Sequence, residues 1–352
     1  MNAFGIGQPV RRAEDRRFLT GRARFVEDVE LPRQAHGALV LSPHPHARLR
    51  RVDVSRAAAA PGVVCALTGA DAVRDALGGI PPVFMPEDIG GPKGYRTARP
   101  VLVTDKVRHV GERVAFVVAE TAAQAREAAR LVDVDYEPLP AAVTVEDAVE
   151  EGAARIWEDW SSNVSFELAL GDREATEAAF ARARHVVSLR LVNNRVSANP
   201  LEPRGAVGDH DPAEGYTLYT STQDPHGVRS VLAQAVFRIP ETRLRVIAQD
   251  VGGGFGMKGD TYPEEALVLW ASRRCGRPVK WIATRSESLL GDDHGRDQVV
   301  HGEMALDAEG RILAIRTRAL HAVGAYVAGP AVVPVLWALR LVPNAYAVPA
   351  LH

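Results

Sequence analysis

The sequence predicts a mixed α+β (α/β) fold in two parts, on three observations. Short β-prone runs alternate with helical runs along the whole chain. The strands lengthen after Pro138-Leu139-Pro140, a proline-bounded tripeptide that reads as a domain boundary. A glycine-dense loop, Gly252 to Gly259, joins a predicted strand to a predicted helix. These place one part at residues 1–140 and a second at 145–352.

In chain order, Ala35 to Leu41 and Val63 to Thr68 are short apolar strands. Gly78 to Lys93, rich in glycine and proline, is an irregular excursion. Val114 to Ala119 is a further strand, and Ala122 to Val132, rich in alanine, is a helix. In the second part Val186 to Val192 and Tyr216 to Thr220 are strands, and Pro225 to Val236 is a helix opened by proline. Arg243 to Gln249 is the strand before the glycine loop. Pro263 to Arg274 is the helix after it, with Glu264 and Glu265 where the helix dipole favours carboxylates. Val279 to Thr284 is the next strand. Gly302 to Leu306 and Ile312 to Ala319 form a hairpin over Asp307-Ala308-Glu309-Gly310. Ala325 to Leu339 is the most apolar stretch. It is shorter than the roughly 20 residues that span a bilayer and holds Pro330 and Pro334, so it reads as buried loop or core.

Composition excludes some classes. The net charge of −2 gives no reason to expect a nucleic-acid partner. Only four lysines stand against abundant arginine, which reads as a compositional bias and not as a binding surface. Two cysteines, Cys65 and Cys275, are too few for an iron–sulfur cluster, which takes about four ligands. Cys65 lies in an apolar run and reads as core; a disulfide to Cys275 is disfavoured in a chain with no secretion signal. No targeting segment or membrane span is visible, and a cytoplasmic location is expected.

The loop carries the chemistry. Five glycines in the eight positions 252–259 leave backbone amides bare and permit positive φ. Such amides can lie directly on a phosphate or oxo group. Gly254-x-Gly256-x-x-Gly259 also fits a dinucleotide turn, and an NAD(P)-binding oxidoreductase is one reading. Against it, the next strand ends in Thr284-Arg285 where a ribose would want an acid. A tight packing turn is the plain alternative.

The string Gly252-Gly253-Gly254-Phe255-Gly256-Met257-Lys258, after Gln249-Asp250-Val251, resembles the cofactor loop of the molybdenum hydroxylases, the xanthine dehydrogenase and aldehyde oxidase family. Further motifs follow in family order: Ser42-Pro43-His44-Pro45-His46, Val110-Gly111-Glu112-Arg113-Val114-Ala115, Asp133 to Pro140, Leu201-Glu202-Pro203-Arg204-Gly205, Thr220 to His226, Gly276 to Trp281 and His294 to Asp297. The likeness leans to large subunits of aerobic carbon monoxide dehydrogenase-like proteins and covers their N-terminal half.

The resemblance implies an α/β hammerhead domain followed by the first molybdopterin-binding domain. It implies a molybdenum–molybdopterin cytosine dinucleotide cofactor, with Gln223 and the backbone of Gly253, Gly254, Phe255 and Gly256 as cofactor-binding. The pterin holds the metal, so no side chain here need ligate it. It implies oxidation of an aldehyde, carbon monoxide or N-heterocycle with water as oxygen source. Electrons would leave through iron–sulfur and FAD subunits of a hetero-oligomer, with neither group held by this chain. No catalytic residue is expected here: the family's general-base glutamate lies near the C-terminus of a chain about twice as long. This chain alone is therefore expected to be inactive, and a non-catalytic assembly module is a further alternative. Gly259 and Asp260 follow Lys258 where purine oxidisers carry glutamate, which disfavours purines.

Single residues have bland alternatives. Phe255 can simply anchor the loop in the core. Lys258 can neutralise a pyrophosphate or sit at the surface. Glu202 and Arg204 can pair under the site or at the surface. His44 and His46 lack a third ligand and read as structural, and Asp292-Asp293-His294 reads as a loop.

Overall fold

The structure, a computed structural model, describes residues 7–352; the first six residues of the first predicted region lie outside the described residues. Strands β1 (Ala35–Leu41), β2 (Ala47–Asp53), β3 (Val63–Thr68), β4 (Lys106–Val107), β5 (Arg113–Ala119) and β6 (Asp133–Pro138) form the first region. With them stand helices α1 (Asp15–Leu19), α2 (Ser55–Ala58), α3 (Gly69–Arg74) and α4 (Ala122–Ala129). The second region holds α5 (Val145–Val149), α6 (Arg173–Ala181), β7 (His185–Asn193), β8 (Gly205–Asp211), β9 (Gly215–Thr220), α7 (Pro225–Val231) and β10 (Leu244–Ile247). It continues with α8 (Pro263–Cys275), β11 (Val279–Ile282), α9 (Arg285–Gly291), β12 (Gln298–Leu306), β13 (Ile312–His321), α10 (Val333–Leu341) and β14 (Ala350–Leu351). The fold is mixed helix and strand.

One seven-stranded sheet, ordered β10-β9-β8-β11-β1-β5-β3, crosses from one region to the other. The join is the parallel pair β1 and β11, with Ala35 opposite Val279. Every residue of β5 is buried, as the apolar run Val114–Ala119 dictates for a strand covered on both faces, and the charged Arg113 at its start is buried with them. Helix α8 lies on this sheet and buries Pro263 through Ser272, with Trp270 wholly enclosed. Gly208 on β8 makes that approach possible: a Cβ there would stand 2.6 Å from the Leu269 amide of α8.

A second sheet, β14-β13-β12-β7, holds the expected hairpin. Its edge strand β7 is exposed along its whole length, with Val187, Leu189 and Leu191 at 56%, 58% and 53%. A third sheet, β4-β2-β6, lies wholly outside the expected strands, and its longer members β2 and β6 carry no apolar period. Cross-strand ion pairs lace them instead, Arg51 to Asp133 at 2.5 Å and Arg50 to Glu137 at 2.6 Å.

The apolar stretch after Ala325 departs from expectation. It forms helix α10, because Pro334 sits in the first turn, where a missing N–H costs nothing. Val332 and Leu336 pack with Met85 from the glycine- and proline-rich excursion. No helix among the described residues is long and apolar enough to cross a membrane.

Candidate functional site

The glycine loop leaves β10 at the edge of the large sheet and returns into α8. Three of its residues have positive φ: Gly253 at 97°, Phe255 at 54° and Gly256 at 90°. The loop is fastened at both ends. At its start, the Gly252 amide donates to Glu202 Oε2 at 2.7 Å. Near its end, Met257 N donates to Gly254 O at 3.0 Å, and Gln223 N donates to Lys258 O at 2.8 Å. Between these anchors the amides of Gly253, Gly254 and Phe255 make no hydrogen bond among the described residues.

Gln223 lies between β9 and α7, beside the loop. Its Oε1 accepts from the Gly256 amide at 3.0 Å. Gly254 is pressed against it: a Cβ on Gly254 would come within 2.3 Å of Gln223 Oε1. At Gly256 a Cβ would meet nothing within 4 Å. The Phe255 side chain is 76% exposed, so it does not anchor the loop in the core. The structure thus brings Gln223, Gly253, Gly254, Phe255 and Gly256 together. Phe255, Gly256, Met257 and Asp260 line one wall of an open cleft of about 2170 Å³.

Lys258 is not a surface lysine. It is buried, and its Nζ donates to Glu202 O at 2.9 Å, Glu202 Oε2 at 2.8 Å and Ser221 Oγ at 2.6 Å. Burial pushes the lysine's pKa down, and Glu202 opposes that shift. Since Glu202 also holds Gly252, the Lys258–Glu202 pair draws both ends of the loop together. This arrangement leaves Lys258 no free donor for a pyrophosphate.

The paired reading of Glu202 and Arg204 is also corrected. Arg204 turns away from Glu202 and binds Glu264 at 3.0 Å and Asp292 at 2.6 Å, with its guanidinium 3.7 Å over the Tyr262 ring. Burial raises the Glu264 carboxyl, but Arg113 and Arg204 outweigh it and hold the group at about 2. Its neighbour Glu265 has no such partner, and burial pushes it up to about 7 despite bonds from Thr220 and the Tyr262 amide. Asp260 is likewise raised to about 7 by burial and by Asp293. Placing Glu264 and Glu265 at a helix dipole missed this buried cluster. The signal was Arg113, a charge at the start of an otherwise apolar run.

The remaining candidates are structural. His46 Nδ1 bonds Pro140 O at 2.7 Å, and His44 packs on the Tyr136 ring. Asp293 pairs with Arg99 at 2.8 Å. No group of three or more His, Cys, Asp or Glu among the described residues is placed to hold a metal. Cys65 and Cys275 are free thiols.

The dinucleotide-turn reading fails on topology. Helix α8 leads from β10 to β11, which stand apart in the sheet with β9 and β8 between them. The first turn of α8 is also closed by its own Glu265, which accepts from Tyr262 N at 3.0 Å.

Fold and loop define a mixed helix-and-strand protein whose glycine loop holds unpaired backbone amides beside an open cleft. Known proteins make this specific. The family model described as molybdopterin cofactor-binding domain matches residues 156–352. The one described as aldehyde oxidase and xanthine dehydrogenase, a/b hammerhead domain, matches residues 20–140. The chain is 37% identical to the nicotine 6-hydroxylase large subunit of Paenarthrobacter nicotinovorans, over 98% of this chain and 42% of that protein. It is 36% identical to the carbon monoxide dehydrogenase large chain of Afipia carboxidovorans, over 92% of this chain and 40% of that one. Quinoline 2-oxidoreductase from Pseudomonas putida 86 superposes with a TM-score of 0.82 at 40% identity, covering 88% of this chain and 38% of the other. The chain belongs to the xanthine dehydrogenase and aldehyde oxidase family of molybdenum hydroxylases. It spans about 40% of the length of these two curated relatives.

Proposed function

We propose that this chain is the first cofactor-cradling part of a molybdenum hydroxylase large subunit, with a hammerhead domain at 1–140 and the first molybdopterin-binding domain at 145–352. The observation that carries this is the row of unpaired amides from Gly253 to Phe255, held open beside Gln223. The space over Gly256, where a Cβ would touch nothing, fits a group that approaches the backbone closely. When bound, a molybdenum–pterin group supplies a two-electron acceptor and a site for water activation. This chain's own contribution is preorganised donors. The loop amides and Gln223 would face the oxo-bearing side, fixed in advance by the Lys258–Glu202 clamp, so no reorganisation accompanies charge development.

The remaining roles fall to polypeptide beyond this chain. Those are the general-base glutamate, the other half of the pocket, and the iron–sulfur and FAD groups that take the electrons. The open edge of β7 supports such a larger assembly. The cofactor form proposed is the cytosine dinucleotide, the setting cytoplasmic, and the substrate an aldehyde, carbon monoxide or N-heterocycle. Relatives named for nicotine and quinoline favour the N-heterocycle. The test is turnover with an artificial electron acceptor. The assembled large subunit should oxidise one of these substrates and this chain alone none. Turnover by the isolated chain would overturn the division of labour.

A further inference from the structure

Cys65 and Cys275 stand outside the loop and take no part in the reading above. They are 210 residues apart in sequence, yet their Sγ atoms lie 2.9 Å apart. Cys65 is on β3, the outer strand of the large sheet on the hammerhead side. Cys275 is the last residue of α8, the helix that follows the glycine loop. Both are half-buried and pack against the main core. A disulfide measures about 2.05 Å between sulfurs, so closing this pair needs a movement of under roughly an ångström.

The two thiols differ in character. The hydrogen bond with Cys65 holds the Cys275 thiol below its ordinary value; burial opposes this, and Arg277 and Arg274 add to it. The same bond, with burial, pushes the Cys65 thiol up. The neighbouring Arg277 and Arg274 favour Cys275 as the attacking thiol, with Cys65 as the resolving thiol.

We propose that Cys65 and Cys275 form a thiol modification site, oxidised by small disulfides such as glutathione disulfide into a cross-link between β3 and α8. The Cys275 thiolate attacks one sulfur of the glutathione disulfide. That S–S bond breaks, one glutathione leaves as thiolate, and the other stays on Cys275 as a mixed disulfide. Cys65 then gives its proton to solvent and attacks Cys275 Sγ, and the second glutathione leaves. Two protein thiols are oxidised and one glutathione disulfide is reduced to two thiols. The cross-link ties the two family-matched regions together and restricts the unfolded chain over a long loop. Arg113 and Glu264 join the same two regions non-covalently, and the disulfide makes that join redox-dependent.

The test uses the reduced chain, glutathione disulfide as probe, an alkylating quench and intact-mass analysis. The expected product has lost two hydrogens, carries no alkyl group and yields one linked peptide containing both cysteines. It should unfold several degrees higher than the reduced chain, and dithiothreitol should reverse the shift. Cys65→Ser should instead retain one glutathione on Cys275. Cys275→Ser should form no internal cross-link and show no thermal shift. Two alkylatable thiols, or persistent glutathione adducts on the wild-type chain, would overturn the proposal. So would an equal thermal shift in Cys65→Ser. The wild-type mass decides the matter even if a variant fails to fold.

Discussion

Arg113 Nε donates to Glu264 Oε1 at 2.9 Å, and the two side chains are 3% and 2% exposed. Arg113 opens β5, in the region matched by the hammerhead model; Glu264 stands in the first turn of α8, in the cofactor-binding region. Arg204 binds the same carboxylate from the other side. The helix behind the glycine loop is thus pinned to both regions by one buried carboxylate.

Removing Arg113 should therefore be costly. Breaking a buried ion pair by deleting one partner leaves an uncompensated charge, typically worth about 3–5 kcal/mol. Because Arg204 remains, Arg113→Met should lose about 3 kcal/mol in denaturant unfolding. Arg113→Met with Glu264→Gln should lose less than the sum of the two single-variant losses. A double-variant loss equal to the sum of the two single losses would mean that the pair is not coupled.

Glu265 predicts an inverted pH dependence. Its folded-state pKa of about 7 lies above its ordinary value of 4.5. Between those values the unfolded chain has released the proton and the folded chain keeps it, so stability falls as pH rises. The loss should begin near 4.5, be complete just above 7, and amount to roughly 3 kcal/mol at about 1.4 kcal/mol per pKa unit. Glu265→Gln keeps the acceptor for Tyr262 N without the charge and should flatten this part of the curve. Glu264 acts in the opposite sense. Held at about 2, its stabilisation is full above 4.5 and lost as pH falls towards 2. An unchanged curve in Glu265→Gln would contradict the assignment.

Lys258→Met should disturb the loop although Lys258 faces away from the cleft. It removes three hydrogen bonds to Glu202 and Ser221 and leaves a half-buried carboxylate unpaired. Faster amide hydrogen exchange from Gly252 to Gly259 is expected, with a stability loss of about 2–4 kcal/mol. Unaltered exchange in that segment would separate the clamp from the loop.

Leu189→Asp tests the open sheet edge. The residue is 58% exposed, so the isolated chain should keep its unfolding free energy within roughly 0.5 kcal/mol. Incorporation into a complete large subunit should fail. Normal assembly of the variant would show that β7 stays at the surface.

Much of the fold was legible because its strands are apolar: β1, β3, β5 and the β12–β13 hairpin lie close to where the alternation placed them. β2 and β6 were not, because Arg50, Arg51, Asp133 and Glu137 stabilise them across strands and mask any apolar period. Helix α10 was hidden by Pro334, which ends helices in their interior but opens them at the first turn. The glycine loop was legible in both place and conformation, since five glycines leave few other uses. Its support was not. Nothing local to Lys258 says that it is buried, because its partners Glu202 and Ser221 come from distant segments. The sheet shared by β1 and β11 is likewise a long-range pairing that no local pattern encodes.

The most direct test of the loop's role is the molybdenum and pterin content of the assembled large subunit, wild type against Gly256→Val. Gly256 has a φ of 90° and nothing within 4 Å of a would-be Cβ, so valine meets no protein atom but strains the backbone and fills the approach. Near-stoichiometric metal and pterin are expected in the wild type. The folded, assembled Gly256→Val subunit should lose most of both. Full cofactor occupancy and full turnover in that variant would contradict the account and return the loop to a packing turn.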